Sequence, residues 1–181
     1  IWLLEKYFVK TATPDYKKAL KMAKDIKSIQ TDNAYLAELI RSLEYLSKGA
    51  TKGKLVKFTA TDVNGNKISN ESLKGKKTII YTSAQWDYNS DVNRNVKQYI
   101  AAEGYDFNAV KISIDASKEQ AKSELEFNDS GVKIIGEDKM FESPIMKTLG
   151  LYAIGDNIIL DANGNILRRN AQSSELEKLL K

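Results

Sequence analysis

The run Thr78-Ile79-Ile80-Tyr81-Thr82-Ser83-Ala84-Gln85-Trp86-Asp87-Tyr88-Asn89-Ser90-Asp91 takes an apolar strand into a tight loop and at once into a helix. Strand carboxyl ends and helix amino ends meet at such junctions, and α/β proteins keep their chemistry there. The polar side chains on offer are Asp87, Tyr88, Asn89 and Ser90, with Trp86 beside them. Asp87 suits exposed helix N–H groups, either as an N-cap contributing about 1 kcal/mol or as a carboxylate holding a cation or a donor-bearing ligand. The cap is the plainer account. Ser90 could attack an acyl group only with a base beside it. No histidine exists to serve, and no local motif supplies a lysine or carboxylate in its place. Trp86, Tyr88 and Tyr81 could line a ligand groove, being rings with polar handles. Tyr81, inside the strand, reads as core.

Cysteine and histidine are both missing from the 181 residues. Disulfides, thiol catalysis, Cys/His metal sites and histidine-based triads are thereby excluded. Asp62-Val63-Asn64-Gly65-Asn66 and Asp161-Ala162-Asn163-Gly164-Asn165 are faintly like calcium loops. Neither carries the later bidentate glutamate, so both read as hairpin turns and no metal site is expected. Asp115 is a third strand-end acid. The net charge of +4 comes from lysines scattered singly among acids, the pattern of a solvated surface, so no nucleic-acid partner is expected. No apolar run approaches the roughly 20 residues of a bilayer span, so no transmembrane segment is expected. The chain starts at Ile1 without methionine, and so reads as a piece excised from a longer one.

The elements that must position the junction are legible from periodicity. Trp2, Leu3, Tyr7 and Phe8 suit the end of an amphipathic helix. Thr13-Pro14 predicts an N-cap and first helical residue, followed by a stripe of Tyr16, Ala19, Leu20, Ala23 and Ile26. Thr31 or Asp32 restarts the pattern with Leu36, Leu39, Ile40, Leu43 and Leu46, and Gly49 closes it. These are packing stripes, too short for a coiled coil. A linker follows at 51–54, then a strand from Leu55 to Thr61 and an Asn64-Gly65 hairpin. Strands are expected near 78–82, 108–114, 157–161 and 165–169, with a shorter one at 132–135. Thr78–Thr82 should be among the most buried. Val92, Val96, Tyr99 and Ile100 mark the buried side of the helix after the junction. Ser117 opens another, Ser143-Pro144 a third, and Ser174 with Glu177 fits a capping box for the last. The fold class is α/β, a mixed sheet with helices on both faces, preceded by an amino-terminal helical region. The expected division is 1–50, helical, and 51–181, the sheet domain.

Several of these local signatures, in this order, resemble the thioredoxin-like superfamily, nearest to its TlpA/ResA-type (AhpC/TSA-like) branch. They are Thr61-Asp62-Val63-Asn64-Gly65-Asn66, Ser72-Leu73-Lys74-Gly75-Lys76, the core strand with Trp86, Val110-Lys111-Ile112-Ser113-Ile114-Asp115, and Leu160-Asp161-Ala162-Asn163-Gly164-Asn165-Ile166. The resemblance covers about 130 residues. It implies a thioredoxin-like domain of a cell-envelope or periplasmic protein, with the leading 50 residues similar to the extension, and the lipoprotein context, of Bacteroidetes members.

The departures carry as much as the matches. The family sets tryptophan before Cys-x-x-Cys, which puts Asp87 and Ser90 at the cysteine positions, with Tyr88 and Asn89 between; the alternative register, with Trp86 and Asn89 there, leaves the tryptophan unexplained and contains no thiol either. The family's cis-proline falls on Gly155. The positions Trp86, Asp87, Tyr88, Asn89, Ser90 and Gly155 are therefore expected to form a degenerate redox site with no catalytic residue and no cofactor. Three functions stay open. One is a non-redox binding or scaffolding module, meeting a protein or small molecule at the Asp87 loop. Another is a thiol-disulfide oxidoreductase relative whose cysteines were replaced in this chain. The third is a hydrolase using Ser90, Asp87 or a lysine.

Overall fold

A computed structural model describes residues 1–11, 13–47, 53–87, 91–127, 131–151 and 153–181. Eight strands are described: β1 Gly53–Lys54, β2 Thr59–Thr61, β3 Lys67–Ser69, β4 Lys77–Ser83, β5 Phe107–Ser113, β6 Val132–Gly136, β7 Asn157–Leu160 and β8 Asn165–Arg169. Six of them build one mixed sheet in the order β1-β8-β7-β4-β5-β6. β4 and β5 run parallel, as do β5 and β6, while β7 pairs antiparallel with β4 and with β8. The expected strand from Leu55 to Thr61 is a strand only over Thr59–Thr61, and the expected linker supplies an edge strand instead. Residues 53–54 join the sheet edge beside β8, and β2 pairs with β3 as a separate hairpin. Asn70 sits between the two pieces. Its Oδ1 accepts from Phe58 N (2.8 Å) and its Nδ2 donates to Val56 O (3.1 Å), so a side chain replaces strand pairing there.

β4 is central because its sequence leaves it nothing to show to water. All residues from Thr78 to Ser83 are buried, which requires cover on both faces. On one side Ile80, Val110, Ile112, Ile158 and Leu160 pack with Phe58, Ile68 and Met146. On the other Ile79, Tyr81, Ala109 and Ile159 meet Val92 and Val96 of helix α4 (Asp91–Ala101) and Leu176 and Leu180 of α7 (Ser173–Leu180). Helix α5 (Lys118–Phe127) adds Ala121 to that second side. α6 (Pro144–Leu149) covers the first, capped by Ser143 Oγ, which accepts from Met146 N (3.2 Å). This is the expected α/β mixed sheet with helices on both faces.

The helices before residue 47 lie outside the sheet and share a third apolar cluster. A turn of helix α1 (Trp2–Leu4) continues as a π-helical turn, Glu5–Val9, in which Lys10 N donates to Glu5 O (2.7 Å). That wider turn changes which side chains face inward. Leu4 and Val9 are buried, whereas Trp2, Leu3 and Tyr7, expected on the buried stripe, are more than half exposed. Helix α2 (Tyr16–Ile29) is capped by Asp15, whose Oδ1 accepts from Lys18 N (3.0 Å), rather than by Thr13. Helix α3 (Ala34–Leu46) starts after Asn33, whose Oδ1 accepts from Leu36 N (2.9 Å), rather than after Thr31 or Asp32. The capping box of α7 is Gln172 with Glu175, two residues ahead of the expected Ser174 and Glu177. At α2 and α3 the side-chain oxygen one residue before the first helical turn takes an orphan N–H, and at α7 Gln172 N donates to Glu175 Oε2 (2.9 Å). Gly49, expected to close α3, lies outside the described residues.

Candidate functional site

β4 and β5 end together beneath the loop that carries Trp86 and Asp87. Ile114 N donates to Ser83 O (3.0 Å), which extends the parallel register beyond the strands. Asp115 finishes the joint. Its Oδ1 accepts from Gln85 N (2.8 Å) and its Oδ2 from Ser113 Oγ (2.6 Å), so a buried carboxylate fixes the loop's direction. Asp87 N closes a turn onto Ala84 O (3.1 Å). Trp86 is 52% exposed above this turn. The ring offers apolar surface to solvent beside Asp87.

Asp87 is half-buried, and its Oδ2 is buried without a hydrogen-bond partner among the described residues. Tyr88, Asn89 and Ser90 lie outside those residues, so the expected Ser90 position and the N–H groups a cap at Asp87 would serve are not described. Helix α4 is described from Asp91, whose carboxylate pairs with Arg94 in the first turn. Negative charge belongs there because the helix dipole is positive at that end.

The other wall of the site is the segment before β7. Gly155 N donates to Thr82 O (3.1 Å), and Thr82 N donates to Asp156 O (3.0 Å). The Thr82 hydroxyl donates to Ala153 O as well. This brings Gly155 to the strand whose end leads into Trp86 and Asp87. Gly155 has φ +82°, and a Cβ there would meet nothing within 4 Å. Conformation, not space, therefore decides what fits: proline is fixed near φ −65° and cannot adopt this backbone.

Behind the wall, Asp156 Oδ2 accepts from Ala153 N (2.9 Å) and faces Arg169. Arg169 is 3% exposed, and its Nη1 donates to Leu149 O (2.8 Å). Its guanidinium is also hydrogen-bonded to the hydroxyl of Tyr16 from helix α2. Burial raises the Tyr16 hydroxyl above its ordinary value, against the pull of the neighbouring guanidinium. Burial likewise lowers Arg169. Asn170 Nδ2 reaches Val9 O and Thr11 O (3.4 Å each), a second tie from the helices to this corner.

Sequence reasoning did not single out Thr82, Asp156, Arg169 or Tyr16 as a group, because residues so far apart in the chain meet only through the sheet order. Lys111 was also passed over. It is 1% exposed and pairs in register with Tyr81, itself fully buried with its hydroxyl donating to Asn93 Oδ1 (3.2 Å). A signal existed: Lys111 sits between Ala109 and Ser113 on the inward alternation of a central strand. Asp62 and Asp161 are turn formers, as expected. Each Oδ1 accepts from the N–H two and four residues on, and each Oδ2 from the amide of Asn66 or Asn165. Hydrogen bonds from Asn165 hold the Asp161 carboxyl below its ordinary range. Among the described residues no group of His, Cys, Asp or Glu could hold a metal ion. No described helix is long and apolar enough to cross a membrane.

No family model matches this chain, and no curated relative matches it. Solved structures do. The C-terminal domain of a thiol-disulfide oxidoreductase from Bacteroides thetaiotaomicron is 24% identical over 67% of this chain and 87% of its own, with a TM-score of 0.56. A thioredoxin domain of a thiol-disulfide oxidoreductase from Bacteroides vulgatus is 19% identical over 71% and 98%, at 0.54. A secreted disulfide oxidoreductase of Mycobacterium tuberculosis is 18% identical over 68% and 93%, at 0.55. At these identities the likeness establishes the fold, which is thioredoxin-like.

Proposed function

We propose that this chain is a thioredoxin-fold envelope protein of TlpA/ResA type that has lost its redox chemistry and works as a binding or scaffolding module. The boundary lies near residue 50, with 51–181 as the thioredoxin-like domain. The envelope assignment is supported by neighbours described as secreted or as Bacteroides thiol-disulfide oxidoreductases. The carrying observation is the Asp87 carboxylate oxygen, buried without a partner among the described residues at the position the resemblance gives to the nucleophilic sulfur. An unsatisfied buried acceptor is costly, and a ligand that brings a cation or an N–H or O–H donor recovers that cost. Trp86 supplies the adjoining apolar contact. A protein or small molecule of this chemistry is the partner proposed at the Asp87 loop.

Replacement of cysteines in an otherwise intact oxidoreductase accounts for the site less well. Such a change would leave the proline in place, whereas position 155 is a glycine whose φ of +82° excludes proline. Disulfide exchange needs a thiolate nucleophile and a resolving thiol, and the chain has no sulfur except methionine. The variant with Asp87→Cys and Ser90→Cys together tests this reading. A disulfide should form, since the resemblance puts the two positions one helical turn apart, yet insulin-reducing turnover should stay poor on the Gly155 backbone. Turnover equal to that of an intact thioredoxin would overturn the claim that the scaffold itself has left redox work.

A further inference from the structure

A groove of about 530 Å³ runs between the amino-terminal helices and α6, away from the Asp87 loop's own side chains. Its volume lies within the roughly 300–1,000 Å³ of small-molecule sites. Leu39, Leu46 and Leu151, all buried, give it an apolar floor, and the rings of Tyr35 (56% exposed) and Phe141 (43% exposed) belong to its lining.

The three carboxylates of the lining are not equivalent. Glu38 is taken by Arg41 at 2.7 Å, and Glu142 by Lys147. Both acids are more than half exposed. Glu5 differs on each count, with its side chain 11% exposed and Lys10 no nearer than 3.9 Å. Among the described residues its other partner is the Tyr35 hydroxyl, which it helps to push up to about 12, after the larger effect of burial. A carboxylate offers about four lone-pair sites, so the most buried acid in the groove keeps acceptor capacity. Aromatic faces nearby attract cations and cover apolar groups.

We infer that this groove binds a small primary amine with an apolar or aromatic body, its ammonium at Glu5 and its body over the leucine floor beside Phe141. The inference is independent of the Asp87 reading. The groove's cations do not favour an anion, since Arg41 and Lys147 are paired with Glu38 and Glu142 and Lys10 stands beside Glu5, and a neutral molecule would leave the Glu5 carboxylate as it stands. The ammonium instead competes with the 3.9 Å approach of Lys10 by offering three short donors.

Calorimetric titration of the whole chain with 2-phenylethylamine, 2-phenylethanol and 3-phenylpropionate tests it. The amine should bind at least about tenfold more tightly than either isostere, the ratio that one charge-assisted hydrogen bond supports. Glu5→Gln should remove that preference, and Phe141→Ala, at an exposed position, should weaken the amine in a chain that still folds. Equal binding of alcohol and amine, or no saturable binding in the millimolar range, would overturn the inference. So would amine binding that survives Glu5→Gln and disappears with Asp87→Asn, because it would place the ligand on the loop. If Glu5→Gln does not fold, unchanged amine affinity in Phe141→Ala overturns it alone.

Discussion

Removing the carboxylate of Asp87 should leave the protein as stable as before, or slightly more so. Its Oδ2 is buried with no hydrogen-bond partner among the described residues. An unsatisfied buried acceptor costs about 1–3 kcal/mol, and more when charged. The residue is half-buried, so water screens part of that cost and the lower end, about 1 kcal/mol, applies. Asp87→Ala deletes the orphaned oxygen and gives up little apolar packing, so a gain of up to about 1 kcal/mol is expected. At a urea slope of about 1–3 kcal/mol/M this raises the midpoint by roughly 0.3–1 M. A cap behaves oppositely: Asp87→Ala would cost about 0.5–2 kcal/mol, with most of it kept by Asn or Ser. Urea unfolding of Asp87→Ala, Asp87→Asn and Asp87→Ser separates the two. A lower midpoint in the alanine variant, restored by asparagine and serine, would refute the orphaned-acceptor reasoning. Equal losses in all three would assign the stabilisation to the charge and to a cation bound by it.

Tyr16→Phe should lower stability by about 1–3 kcal/mol, because it removes a hydrogen-bond partner from the buried guanidinium of Arg169; thermal unfolding checks it, and an unchanged midpoint would show that the tie is idle. Stability should also fall at both ends of the pH scale. Asp161, Glu71 and Glu142 are held below their ordinary values, by Asn165, Lys74 and Lys147 respectively. Their contribution is therefore present above the unfolded values, near 4, and is lost as pH falls through the lower folded ones. Tyr35 is raised from 10.0 to about 12, so its contribution is complete below pH 10 and is lost between there and 12. Urea midpoints measured from pH 2 to 12 should be level in the middle and drop at each end.

Much of the fold was legible because strand signals here are local. The apolar run of β4, the two Asp-x-Asn-Gly-Asn turns and the helix stripes each act within a few residues, and the sheet follows from joining them. Helix starts were misplaced by one or two residues, because Thr13, Asp15, Asp32 and Asn33 all have capping chemistry and only the chain path selects one. The burial of Leu4 and Val9 in place of Trp2 and Tyr7 depends on a π-helical turn, which a 3.6-residue period cannot express. At the site, the loss of sulfur was readable from composition alone. The Thr82–Gly155 pairing and the tie of Tyr16 to the Arg169–Asp156 corner were not, because they join segments more than 70 residues apart. The conformation of Gly155 was equally hidden, since glycine is compatible with either sign of φ.

The central claim is that this thioredoxin-like chain performs no dithiol–disulfide chemistry. Insulin reduction with dithiothreitol as the reductant measures it directly on the natural chain. The rate should equal that of the protein-free control, since no residue supplies the sulfur nucleophile that exchange requires. Clear acceleration above that control, in a preparation shown to be free of thioredoxin, would contradict the account.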